Sequence, residues 1–325
     1  MVGESHSDLN VSAPSAATPP SVDPGGLTGQ LLADRYQVEQ KIGEGGMCFV
    51  YLARDTSTGE RVAIKKLLPK FINDRTAMAR LRREAALGSK LAHPNVCHII
   101  RLGETSAGFD YIVMPYMQGD LLCVRTARAG QLSLAVTAGF VRDMSAGLHL
   151  AHEHGIIHRD LKPENIMIVS APDGSERAVV MDFSLATEMS LRPSMQLTAD
   201  GLVVGTPEFM SPEQLRGDPL DRRSDIYSLA FMVYEMLTGQ LPFDGPTQRD
   251  IMIARFKGTS IPIRTRRPDL NIPVAVEKVL TKAMAYDPKE RYGTTLEFGR
   301  AFTRAAKPRG GWMRGSGILA RLLRR

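Results

Sequence analysis

From about residue 36 three short runs, 36–42, 49–55 and 61–67, set apolar positions, several of them β-branched or aromatic, among polar ones and read as strands. A strongly charged stretch from about 74 to 91 predicts a helix, and 111–114 a further strand. Helical spacing prevails from there to about residue 306. Strands first and helices afterwards predict an α+β architecture. Residues 1–30 hold no Lys or Arg and are rich in Ser, Ala, Pro and Gly. Such a segment buries too little apolar surface to offset its chain entropy and is expected to be a disordered tail. Residues 307–325 differ again, with six basic residues, no acidic one, and Ile318, Leu319, Leu322 and Leu323 on one helical face. A basic amphipathic stretch carrying Trp312 suits peripheral contact with an anionic membrane surface.

At 325 residues, with 43% apolar and 23% charged, the chain has an ordinary globular balance and ample length for a core. The net charge of +6 suits anionic partners such as nucleotides, membranes or acidic proteins, and does not by itself argue for nucleic acid, which is not expected as a partner. Cys48, Cys97 and Cys123 are odd in number and lack paired spacing, which argues against a disulfide framework or a zinc site. No apolar run is long enough to span a bilayer, and the N-terminus has no signal-like core. A cytoplasmic location follows as the expectation, with membrane association through 307–325 as its variant.

Residues 157–165 read Ile-His-Arg-Asp-Leu-Lys-Pro-Glu-Asn and place a carboxylate, an ammonium and a carboxamide on one short loop. Those groups are what is needed to move a phosphoryl group onto a hydroxyl. Upstream, a glycine turn (Gly43, Gly45, Gly46) stands between two strand-like runs, followed by Val62-Ala63-Ile64-Lys65. Glycines there let backbone N–H groups approach phosphate oxygens, and a lysine in an apolar strand is costly unless paired. Downstream come Asp182-Phe183 and the stretch Gly205-Thr206-Pro207-Glu208 through Ser211-Pro212-Glu213.

Together these segments resemble the serine/threonine protein kinases, in phrasing the bacterial (Hanks-type) ones, over about residues 31–302. The resemblance implies a two-lobed fold: a β-rich N-lobe at about 31–114, a hinge at 115–119 and a helical C-lobe at about 120–306. It also implies the roles. Asp160 aligns the acceptor hydroxyl and Lys162 sits beside the γ-phosphate. Asn165 and Asp182 hold magnesium, with manganese as a substitute, and Lys65, paired with Glu84, holds the α- and β-phosphates of ATP. Ile42, Gly43, Gly45, Gly46, Val50, Ala63 and Met167 surround the nucleotide. Met114 is the gatekeeper, Pro115 and Met117 meet the adenine edge through their backbone, and Asp120 reaches the ribose.

Three positions depart from the family pattern: Cys48 for the third glycine, Pro115 at the start of the hinge, and Ser184 for the glycine after Asp-Phe. They leave open a pseudokinase or ATP-binding signalling scaffold as the competing reading. Glu213 is expected to pair with Arg291, and Asp225 to brace the catalytic loop. Between Asp182 and Glu213 lies the activation segment, where Arg159 would meet a phosphorylated residue and Thr206 marks the serine/threonine class. Thr198 is the expected autophosphorylation site, with Asp200 standing in part for a second phosphate. Protein substrates and self-association for trans-autophosphorylation follow as partners.

Overall fold

The computed structural model describes residues 26–45, 48–68, 88–89, 91–105, 108–170, 173–183, 207–256, 258 and 260–307. Six antiparallel strands form the first sheet: β1 (Leu31–Leu32), β2 (Tyr36–Gly45), β3 (Cys48–Asp55), β4 (Arg61–Leu67), β5 (Arg101–Glu104) and β6 (Asp110–Pro115), in the order β1-β2-β3-β4-β6-β5. Strand parity divides their side chains between two clusters. Tyr36, Val38, Tyr51, Ala53, Val62, Ile64, Tyr111 and Val113 fill one face with Leu27 and Leu32. Cys48, Leu67 and Ile112 fill the other with Ile99, flanked by Val50, Leu102 and Met114. The packed chain therefore starts earlier than residue 31, because Leu27 is buried at 3% exposure in the first cluster. β5 carries too few apolar residues to read as a strand and is held by its pairing to β6.

The second lobe contains α1 (Leu122–Ala129), α2 (Leu134–Glu153), α3 (Pro212–Arg216), α4 (Arg222–Thr238), α5 (Gln248–Phe256), α6 (Ile263–Arg266), α7 (Val274–Ala283) and α8 (Thr295–Ala306). α4 is buried on nearly every side, so its sequence shows no amphipathic stripe, and α2, α7 and α8 pack around it. The helical remainder read from sequence also holds a small antiparallel sheet, β7 (Gly119–Leu121), β8 (Ile166–Ser170) and β9 (Glu176–Val180). Its strands are too short for periodicity to separate them from helix ends.

The lobes meet at the loop before β5. Asn95 donates from Nδ2 to the Ala178 carbonyl at 2.8 Å, its own carbonyl accepts from Val180 N at 2.9 Å, and Cys97 N donates to Val180 O at 2.8 Å. Gly147 on α2 permits this approach, since a Cβ there would stand 2.6 Å from the Asn95 carbonyl oxygen.

Candidate active site

The loop 157–165 runs from the end of α2 into β8, and its backbone is pinned from α4. Asp225, 1% exposed, accepts from His158 N at 2.8 Å and Arg159 N at 2.9 Å, and its Oδ2 also meets His152 Nε2 at 2.6 Å. Burial pushes the Asp225 carboxyl upward, but the bond and charge of His152, helped by His158, outweigh it and hold the group below the ordinary carboxylate range. Arg159 takes φ 64°, a left-handed conformation that a non-glycine residue keeps only when its surroundings over-determine it. Here Asp225 bonds its N–H, and Gln214 on α3 donates from Nε2 to its carbonyl.

That turn presents Asp160. One carboxylate oxygen, Oδ2, accepts from Lys162 Nζ at 2.9 Å and from Asn165 Nδ2 at 3.2 Å. The same Asn165 amide donates to the Asp160 carbonyl at 2.6 Å. With its nitrogen committed to Asp160, the Asn165 side chain has its oxygen to offer a hard cation.

Asp182 follows β9 and is joined to the loop through its neighbour, Met181, whose N–H bonds Asn165 O at 2.9 Å and whose carbonyl meets His158 Nε2 at 2.7 Å. Phe183 is buried and packs edge-on against His158, with centroids 4.9 Å apart. Asp182, like Arg159, has a positive φ of 63°. Its Oδ1 accepts from Lys65 Nζ at 3.0 Å, across the lobes. Burial pushes the Asp182 carboxyl upward, yet the charge and bond of Lys65, with His158 and Lys162, bring it below its ordinary value. Burial likewise pulls Lys65 down, and the Asp182 charge more than restores it, so the ammonium's pKa lies above its ordinary value.

β4 explains why a lysine is tolerated there. Ala63, Lys65 and Leu67 share the face turned to the second lobe, whereas Val62 and Ile64 face the first cluster. Lys66 points the other way and, instead of lying open, sits over the Phe109 ring at 4.5 Å. Gly43 and Gly45 end β2, and Val50 pairs across with Gly43 and Lys65. Cys48 pairs with Gly45 and Leu67 and is buried in the second cluster; burial raises its thiol, although Lys65 pulls the opposite way. Ile42 is exposed at 42% on β2. Met114 lines a small space with Leu91, Cys97, Ile99, Asp182 and Phe183. Pro115 closes β6, and Met117 follows in the connection to β7.

Asp120 stands elsewhere. It pairs with Ile168, whose side chain lies in the large-lobe core, while Leu121 pairs with Met167. Strand parity therefore puts Leu121, not Asp120, on the face of Met167, and the Asp120 carboxylate bonds Arg128 at 3.0 Å instead. A spacing count along the chain could not see that β7 is a strand. Gly46, Glu84, Ser184, Thr198, Asp200 and Thr206 lie outside the described residues, and with Glu84 so does its expected pairing with Lys65.

Two further features support the loop. Glu213 and Arg291 pair as expected, through two bonds of 2.6 and 2.9 Å, both side chains nearly fully buried, with Ser224 Oγ on Glu213 at 2.8 Å. Ser211 and Gln214 form a reciprocal cap on α3. Glu164, Glu208 and Glu235 line one cavity of about 370 Å³ with Cys123 and Phe209. Burial, reinforced by Glu164 and Glu208, raises the Glu235 carboxyl to about 7. The sequence reading did not mark Gln214 or Glu235, because each acquires its role only through packing.

The Protein kinase domain family matches residues 36–301, and the chain belongs to that family. The curated proteins it is similar to include bacterial serine/threonine kinases. It is 36% identical over 271 residues to serine/threonine-protein kinase pkn3 of Myxococcus xanthus, covering 83% of this chain and 50% of that one. It is 37% identical over 268 residues to PrkC of Bacillus subtilis, covering 82% and 40%. The chain thus spans half or less of the length of these relatives. Among solved structures, the Mycobacterium tuberculosis PknI kinase domain matches with a TM-score of 0.66 and 26% identity, over 85% of this chain and 98% of that one.

Proposed function

We propose that this chain transfers the γ-phosphoryl group of ATP to serine or threonine hydroxyls of proteins. The observation that carries the reading is the Asp160 carboxylate, whose Oδ2 is tied to Lys162 and Asn165 on the same loop. Asp160 would orient that hydroxyl and accept its proton as the bond to phosphorus forms. Lys162, 2.9 Å from Asp160, would neutralise charge on the phosphoryl oxygens in flight. Lys65 would leave Asp182 for the α- and β-phosphates. Magnesium, or manganese in its place, would be held by the oxygens of Asp182 and Asn165 and would supply charge neutralisation on the phosphates. The test is incubation with γ-labelled Mg-ATP and a generic basic protein, followed by phosphoamino-acid analysis. Label on serine and threonine supports the reading; ATP binding without any transfer supports the pseudokinase.

Autophosphorylation belongs to the same proposal. Thr198 is its main site and Asp200 a partial, fixed replacement for a second phosphate, less charged and with fewer acceptor oxygens. Arg159, beside Asp160, is the cation that would meet the phosphate. Peptide mass spectrometry of the ATP-treated protein should find phosphate on Thr198; phosphate elsewhere in the activation segment and never on Thr198 removes the assignment. The basic stretch 307–325 is proposed to hold a cytoplasmic protein at anionic membranes. Co-sedimentation with phosphatidylserine vesicles, lost on deleting that stretch, is the expected result.

A further inference from the structure

Arg255 lies in the last turn of α5 and is 1% exposed, a burial that a permanently charged guanidinium tolerates only when acceptors and rings around it offset its lost hydration. It donates from Nη2 to the Glu208 carbonyl and from Nη1 to the Met210 carbonyl, the latter at 3.4 Å. The guanidinium also lies 4.7 Å from the ring centroid of Phe231 on α4. Between these two carbonyls, that of Phe209 accepts from Ser228 Oγ at 2.7 Å, and the Phe209 ring meets Phe231 edge-on at 5.4 Å. Three consecutive carbonyls of the segment leading into α3 are thus bonded to the helices beneath it, two of them by one side chain.

The position of that segment matters because of what adjoins it. Glu208 and Phe209 share a cavity wall with Pro163 and Glu164 of the catalytic loop. A few residues later, Gln214 bonds the Arg159 carbonyl next to Asp160. A protein acceptor whose hydroxyl reaches Asp160 has to run past this surface. ATP, held between Lys65, Asp182 and the first sheet, does not.

We infer that Arg255 is a positioning residue for the protein substrate: it holds the backbone of Glu208 to Met210 beside the catalytic loop so that acceptor segments dock in register with Asp160. The inference rests on the proposed kinase activity. Its consequence is selective. Loss of the bridge weakens capture of the protein acceptor and leaves ATP binding alone, whereas a residue that merely supported the fold would affect both.

Arg255→Met and Arg255→Lys separate these cases, the first keeping length and ring packing, the second keeping charge on a single nitrogen that cannot span both carbonyls. Steady-state rates would be measured with Mg-ATP and myelin basic protein, each varied in turn. The expected result is a KM for myelin basic protein raised about tenfold in Arg255→Met and about threefold in Arg255→Lys, the scale of losing charge-assisted hydrogen bonds. The KM for ATP should stay within about twofold in both. A protein KM unchanged within about twofold, or ATP and protein constants deteriorating together, overturns the inference. If Arg255→Met does not fold, Arg255→Lys decides by the same criteria. Wild-type protein that transfers no label to myelin basic protein would instead count against the proposed function, and so is distinguishable from failure here.

Discussion

Buried carboxylates in this lobe are pushed in opposite directions according to their neighbours. Glu213 faces Arg291 and is drawn below its ordinary range, after burial alone would have raised it. Glu235 has no cation beside it among the described residues, and burial, with Glu164 and Glu208 adding to it, raises it to about 7. A carboxyl raised above its unfolded value, about 4.3, binds more protons in the native state, so stability falls as pH climbs through that value toward 7. Glu235→Gln removes this liability. The variant should melt higher than wild type at pH 8 and nearly level with it at pH 4.5, as read by thermal unfolding at both pH values. Equal differences at the two pH values would show that Glu235 does not titrate in this window. Glu213 has the reverse sign: its contribution is complete above about pH 4.3 and disappears as pH falls through its depressed value. At this scale the charged chemistry was legible in the sequence, since Lys65, Asp160, Asn165 and Asp182 stand in motifs whose spacing is rigid. Asp120 was not, because its direction depends on the parity of a three-residue strand.

Elements matter through the groups they hold in place. α4 lies beneath the site, and its Asp225 bonds two consecutive N–H groups of the catalytic loop and keeps Arg159 in a left-handed turn. Asp225→Asn keeps the shape but sets an amide NH2 where a carboxylate oxygen had accepted from the loop N–H groups and met His152. A buried donor left without its acceptor costs about 1–3 kcal/mol, so a fall in denaturation midpoint is expected. Transfer should fall further than the folded fraction does, because Asp160 would lose its register; activity that merely tracks folded protein would contradict this. The motif around Asp225 could be found in the sequence by resemblance. Its physical purpose could not, because it depends on the end of α2 arriving beside α4, a long-range packing event. The small sheet β7-β8-β9 escaped for a related reason: Ile166 and Ile168 read equally well as a buried helix segment.

Across the whole molecule, two kinds of contact between the lobes stand out among the described residues. One is hydrogen bonding to backbone, where the Asn95 side chain bonds the Ala178 carbonyl and the Asn95 and Cys97 backbones bond Val180. The other is electrostatic, where Lys65 from the first sheet meets Asp182 from the second lobe at 3.0 Å. The first resembles a fixed clasp, while the second consists of groups that nucleotide and metal would claim for themselves. The division into a strand-rich first part and a helical second part was legible from the change of period near residue 115. The clasp was not, since it depends on Gly147 leaving room for a carbonyl.

Everything proposed for the chemistry converges on Asp160 as the group that aligns the acceptor. The most direct test is single-turnover transfer of labelled phosphate from Mg-ATP to myelin basic protein by wild type and Asp160→Asn, with ATP affinity measured on the same preparations. The expected result is a rate reduced by about 10²–10⁴-fold with ATP affinity unchanged, the loss of a positioned general base rather than of a binding site. Transfer by Asp160→Asn at close to the wild-type rate would contradict the assignment of this site.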